Sequence, residues 1–234
     1  MKTLIFLVLS NFYVAPSHMW DKSHVPCGCG QSNVRTNARI VNGEDAIPST
    51  WSMMVSVRKR NTSSVHFCGG TILSESYILT AAHCVNDYIT GESYGNMSIV
   101  AGLHNVSQTN QIMRQVDKII VHPLWNKLPA EVQYDVALLH LSEPLDLQMN
   151  SSLSRVCLPP RQNTSQQITN HPLNGTRLVA IGWGALGFTN ERPQILQQVT
   201  LYSIHHSVRI CSETIRNPLV NLCAGWYNES KSKN

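Results

Sequence analysis

From Ile40 onward the chain is built of short runs rich in Val, Ile, Leu and aromatic residues. Gly, Asn, Ser and Pro interrupt each run before it is long enough for an extended helix. That punctuation predicts strands, at Met53–Arg58, His66–Leu73, Tyr77–Thr80, Ser98–Ala101, Met113–Val121, Val136–Leu141, Arg177–Gly182 and Leu196–Tyr202. Their even spacing points to an all-β barrel or sandwich. A helix is expected around Ser207–Arg216 and a single helical turn at Ala81–Cys84. The polar stretch Asn150–Asn174 reads as surface loop, and there is no internal repeat. With 234 residues, the chain can hold one large domain or two small ones.

The first residues have another character. Lys2 precedes the apolar run Leu4–Leu9, and Ala15-Pro16-Ser17 supplies small residues after it. This is the layout of a secretory signal over residues 1–17, and the run is too short to span a bilayer. Residues 18–39, with Cys27-Gly28-Cys29-Gly30, read as a propeptide. Export is also implied by seven Asn-x-Ser/Thr sequons, at Asn61, Asn96, Asn105, Asn150, Asn163, Asn174 and Asn228. Seven cysteines in an exported chain imply disulfides with one thiol left over. The net charge of +4 is spread along the chain; its one tight cluster, Arg58-Lys59-Arg60, reads as a solvated loop. Nothing here resembles a nucleic-acid footprint, which needs a broad basic face.

Two segments carry chemistry. In Leu79-Thr80-Ala81-Ala82-His83-Cys84 a histidine sits beside a cysteine. Zinc is not expected, because no second His or Cys stands at ligand spacing in the sequence. In Tyr134-Asp135-Val136-Ala137-Leu138-Leu139 an acid opens an otherwise apolar strand. A carboxylate entering an apolar strand needs a donor. An imidazole is a suitable one: the carboxylate would hold the ring in one tautomer and stabilise the imidazolium.

Further segments align with these in a fixed order: Arg39-Ile40-Val41-Asn42-Gly43, Trp51–Val57, Cys68-Gly69-Gly70-Thr71, Cys157-Leu158-Pro159, Gly182-Trp183-Gly184 and Leu222-Cys223-Ala224-Gly225. Together they resemble the chymotrypsin/trypsin family of serine endopeptidases from Ile40 to Gly225. The resemblance implies two antiparallel six-stranded barrels with the active site between them. It makes residues 40–234 the peptidase domain, His83 the general base and Asp135 its orienting carboxylate. It implies cleavage between Arg39 and Ile40 on activation. It further implies pairing of Cys68 with Cys84, of Cys211 with Cys223, and of Cys157 with Cys27 or Cys29, which would tether the propeptide. No cofactor or metal is expected; Leu103 stands where a calcium-binding member has glutamate. Expected partners are protein or peptide substrates and protease inhibitors, in a secreted, extracellular setting with no membrane or nucleic acid involved.

The match stops after Gly225. Where the family continues to its pocket floor and to Gly-Asp-Ser-Gly-Gly-Pro, this sequence reads Trp226-Tyr227-Asn228-Glu229-Ser230-Lys231-Ser232-Lys233-Asn234. Neither Ser230 nor Ser232 has the flanking glycines of an oxyanion hole. The expectation is therefore a truncated member whose second barrel is incomplete and whose nucleophilic serine is missing, inactive as written. The alternatives are a secreted non-catalytic homologue that binds partners or inhibitors and, with little beyond composition behind it, a glycosylated adhesion or structural β-domain.

Overall fold

The computed structural model describes residues 6–9, 43–59, 65–89, 97–108, 112–125, 134–150, 152–158, 172–185, 192–215, 217, 218 and 220–225. Arg39, Ile40, Cys27, Cys29, Asn61, Asn96, Asn163 and Asn228 lie outside them. Most of the regular structure is strand, arranged in two β-layers, as the sequence pattern implies.

In chain order the strands are β1 (Phe6–Leu9), β2 (Glu44–Asp45), β3 (Met54–Lys59), β4 (His66–Ile72), β5 (Tyr77–Thr80), β6 (Met97–Ala101), β7 (Ile112–Val121), β8 (Ala137–Leu141), β9 (Arg177–Gly182), β10 (Gln197–Ser203) and β11 (Ala224–Gly225). Strands β3 to β8 form a closed barrel in the order β3-β4-β5-β8-β7-β6, with β6 returning to pair with β3 from Val55↔Ala101 to Lys59↔Met97. Closure leaves none of these strands with an open edge. Val55, Val57, Ile72, Ile78, Ile99 and Leu139 are fully buried inside it. Gly70 is required by this packing: a Cβ there would lie 2.8 Å from Ile78 Cγ2 and 3.0 Å from Val55 Cγ2.

The second layer is an open sheet, β1-β9-β10-β11, with β2 also paired to β10. The apolar N-terminal strand runs antiparallel to β9, from Phe6↔Ile181 to Leu9↔Leu178. The two layers share a core, to which Trp51, Met53 and Val100 contribute from one side and Val179, Ile181 and Trp183 from the other. Leu103 is buried in the same core. Across it, the Trp51 indole N–H donates to Gln198 Oε1 at 2.7 Å, and Gln198 Nε2 donates to Glu44 Oε1 at 2.9 Å. A strap at His104–Val106 adds backbone bonds to the second layer: Leu196 N–H to His104 O at 2.9 Å and Val106 N–H to Gln194 O at 2.8 Å.

Two elements differ in extent from the sequence reading. The expected single turn at Ala81–Cys84 is an eight-residue helix, α1 (Ala82–Ile89). Ala82, Cys84 and Val85 pack into the barrel core, and tertiary burial stabilises a helix whose own propensity is modest. The second helix, α2, is confined to Arg209–Thr214. The two-residue strands β2 and β11 were not anticipated, being too short to show alternation, nor was β1, whose residues read in sequence as the apolar run of a secretory signal.

Candidate active site

Strand register brings the two chemistry-bearing segments together. In the β5–β8 pair Thr80 lies opposite Ala137. His83 follows Thr80 by one helical turn, at the start of α1, and Asp135 precedes Ala137 by two residues. Both therefore emerge at the same end of the same strand pair. His83 Nδ1 lies 2.7 Å from Asp135 Oδ2, and the His83 backbone N–H donates to Asp135 Oδ1 at 2.8 Å. Both carboxylate oxygens are thus engaged, which offsets the cost of a side chain only 14% exposed. The imidazole remains more open, at 31%.

With a carboxylate as its acceptor, Nδ1 carries the proton. In the neutral ring that leaves Nε2 with the lone pair. Nε2 lies 3.7 Å from Cys84 Sγ, a sulfur bonded to Cys68 that has no proton to donate. The pair can therefore take a proton on Nε2 and hold the resulting imidazolium against the carboxylate.

The cysteines pair as expected where they are described: Cys68 with Cys84 and Cys211 with Cys223. Cys157 is also disulfide-bonded; both candidate partners, Cys27 and Cys29, lie outside the described residues. The spacing argument against zinc at His83 missed one neighbour. Folding brings Cys68 beside His83 and Cys84, with all three potential ligand atoms within 4.8 Å of one another. Both sulfurs are consumed in the disulfide, so no thiolate is available to a metal there.

Three sequons fall on described residues. Asn105 Oδ1 accepts the Ser107 N–H, Asn150 Oδ1 accepts the Ser152 N–H, and Asn174 Oδ1 accepts the His205 N–H. In each case the bonded atom is the amide oxygen, whereas a glycan attaches through the amide nitrogen. Asn174 is the most exposed of the three.

Sequence reasoning missed a second histidine of interest. His66, at the start of β4, has Nδ1 2.8 Å from Ser56 Oγ and meets the Trp183 ring edge-on at 5.6 Å. Burial pushes its pKa from the ordinary 6.5 down to about 4, and the positive charges of Arg58 and Arg192 push the same way. Of the basic run Arg58-Lys59-Arg60, expected as a solvated loop, Arg58 and Lys59 instead close strand β3, and Arg60 lies outside the described residues. Arg58 is half-buried, with Nη2 donating to Val106 O at 2.6 Å and Nε to Ser56 Oγ at 3.1 Å. Lys59 instead lies over the Phe67 ring, 5.5 Å from its centroid.

Comparison with known proteins agrees with this architecture. The Trypsin family model matches residues 40–234. The chain belongs to the trypsin-like serine protease family. Chymotrypsin-like elastase family member 1 of Homo sapiens is 36% identical over 200 residues, covering 81% of this chain and 70% of the relative. The Rattus norvegicus protein of the same name is 35% identical over 200 residues, covering 81% and 68%. Chymotrypsin-like elastase family member 3A of Homo sapiens is 29% identical over 218 residues, covering 88% and 73%. In this trypsin-like chain the His83–Asp135 pair belongs wholly to the closed barrel. The open sheet stands beside it, joined through the Trp51–Gln198 contact and the His104–Val106 strap.

Proposed function

We propose that this chain is the zymogen form of a secreted serine endopeptidase acting on protein or peptide substrates, with His83 as general base and Asp135 as the carboxylate that orients it. The observation that carries the reading is the doubly bonded pair: Nδ1 on Oδ2 at 2.7 Å and the backbone N–H on Oδ1 at 2.8 Å, between residues 52 apart in sequence. A structural histidine needs only one partner. Here the carboxylate fixes the ring position, the tautomer and the direction of Nε2 at once.

In the reaction Nε2 removes the proton of a serine hydroxyl as that oxygen attacks the scissile carbonyl. The imidazolium, held by Asp135, then returns the proton to the leaving amine. Among the described residues no serine hydroxyl hydrogen-bonds to Nε2. On this reading His83 and Asp135 supply the base and its carboxylate, and acyl-enzyme formation needs the serine-bearing segment that the family has after the position of Gly225. Activation by cleavage after Arg39 fits the same reading, with Cys157 tethering the propeptide through Cys27 or Cys29. Family membership implies inhibitors of this class as partners. Export is supported by the disulfides, by the seven sequons, which we take as glycosylation sites, and by the leader-like residues 1–17, whose removal would uncover the β9 edge that Phe6–Leu9 covers here.

An active-site serine probe tests the proposal. A folded polypeptide of residues 1–234 should remain unlabelled. A form extended through Gly-Asp-Ser-Gly-Gly should be labelled stoichiometrically after cleavage at Arg39, and His83→Ala should abolish that labelling. An extended, cleaved form that binds substrate or inhibitor but is never labelled would show a non-catalytic homologue instead.

A further inference from the structure

We propose that His122 and Tyr134 are positioning residues for the His83–Asp135 pair, acting as a clamp behind the carboxylate. The inference rests on the reading of that pair as base and orienting carboxylate.

Asp135 lies outside β8, in the irregular segment just before it, so strand pairing does not fix its backbone. Instead, the Val136 N–H donates to Tyr134 O at 2.7 Å, closing a tight turn with Asp135 at its apex. The orientation of the carboxylate thus follows from whatever holds Tyr134. That residue has φ +54°, in the left-handed region that a bulky side chain rarely enters. Its ring stacks on His122, with centroids 4.8 Å apart and planes 7° from parallel. His122 also donates its backbone N–H to Val136 O at 3.0 Å, so it grips the turn on both sides of Asp135.

The His122 ring is itself fixed. Its Nδ1 accepts the Leu124 N–H at 3.2 Å, and its carbonyl accepts the Trp125 N–H at 2.9 Å. The same turn reaches the other member of the pair. Trp125 Nε1 donates to Asn86 Oδ1 at 3.2 Å, and Asn86 lies on α1 one turn beyond His83. One short turn after β7 therefore braces the carboxylate through Tyr134 and the imidazole through α1. An unfavourable tyrosine conformation persists where its surroundings over-determine it. Here the determinants are the stack and the His122–Val136 bond.

The test reads pair geometry directly and needs no catalysis, so its outcome is independent of whether the protein cleaves peptides. In the full chain, proton NMR should show a low-field resonance for the His83 Nδ1–H bonded to Asp135, absent in Asp135→Asn. Amide exchange should show the His83 N–H protected by Oδ1. Tyr134→Phe keeps the aromatic stack and should keep both signatures. Tyr134→Gly accepts the left-handed φ without strain but has no ring, and His122→Ala removes the stacking partner. Both should lose the low-field resonance and speed exchange of the His83 amide by about tenfold or more, with Leu139 in the barrel core unchanged. Retention of both signatures in Tyr134→Gly or in His122→Ala would overturn the proposal. So would equal loss of protection at His83 and Leu139, which would mark the clamp as a general stability element.

Discussion

Acid should destabilise this protein through His66, and the size of the effect follows from its surroundings. The ring is held neutral by burial first and by repulsion from Arg58 and Arg192, and its pKa falls from 6.5 to about 4. Because the folded value lies below the unfolded one, the unfolded chain takes up the proton first. The contribution to stability is complete above about pH 6.5, is lost as the pH falls toward 4, and changes no further below that. Each tenfold difference in proton affinity corresponds to about 1.4 kcal/mol, so the loss is roughly 1 kcal/mol near pH 5.5 and about 3 kcal/mol below pH 4. The chain carries other ionisable groups, so the measurement is a difference. Wild type and His66→Gln, which keeps a polar group toward Ser56, would be unfolded in guanidinium at several pH values and followed by tryptophan fluorescence. Wild type should lose about 3 kcal/mol more than the variant between neutral pH and about pH 4. Parallel stability curves for the two proteins, or a variant more acid-sensitive than wild type, would refute the account of His66 as a buried neutral ring.

Gly70→Ala places a methyl 2.8 Å from Ile78 Cγ2 and 3.2 Å from Leu79 O inside a closed barrel that has little room to relax. It should cost about 1–3 kcal/mol, seen as a lower thermal midpoint. Replacing Cys211 and Cys223 together by serine opens a loop of sequence separation 12. The cost should be about 3 kcal/mol in equilibrium unfolding, with the His83 amide protection unchanged because that bond lies in the other layer.

The strands of the barrel were readable because β3 to β8 alternate or bury whole apolar runs, and the breaks between them carry turn residues. Tyr77–Thr80 and Arg177–Gly182 have the same bounds in sequence and structure, while the other expected strands shift only at their ends. The His83 and Asp135 motifs were readable from local composition, but not the register that joins them; Thr80↔Ala137 is a relation between distant strands. Arg58 was misread because adjacent residues on a strand point to opposite faces. Arg58 turns in toward Val106 O while Lys59 turns onto Phe67, so a run of basic residues in sequence is not a basic patch in space. His66 and the His122–Tyr134 stack left no sequence signal. Their roles depend on partners at Trp183 and across the turn before β8, and a single histidine carries no mark of its future neighbours.

The confinement of His83 and Asp135 to one closed barrel divides the molecule into parts that can change at different rates. Among the described residues, the bonds that orient the imidazole run among α1, the segment just before β8 and the turn after β7, so a substitution in β9, β10 or β11 reaches the pair through the shared core around Trp51 and Trp183 and the His104–Val106 strap. Lineages of such proteins can then exchange or remodel the open sheet, and with it whatever ligand it meets, while inheriting the proton-handling half intact. The same partition makes the barrel a unit that can be transplanted: joined to a different second layer through Trp51 and His104, it would arrive with its histidine already aimed.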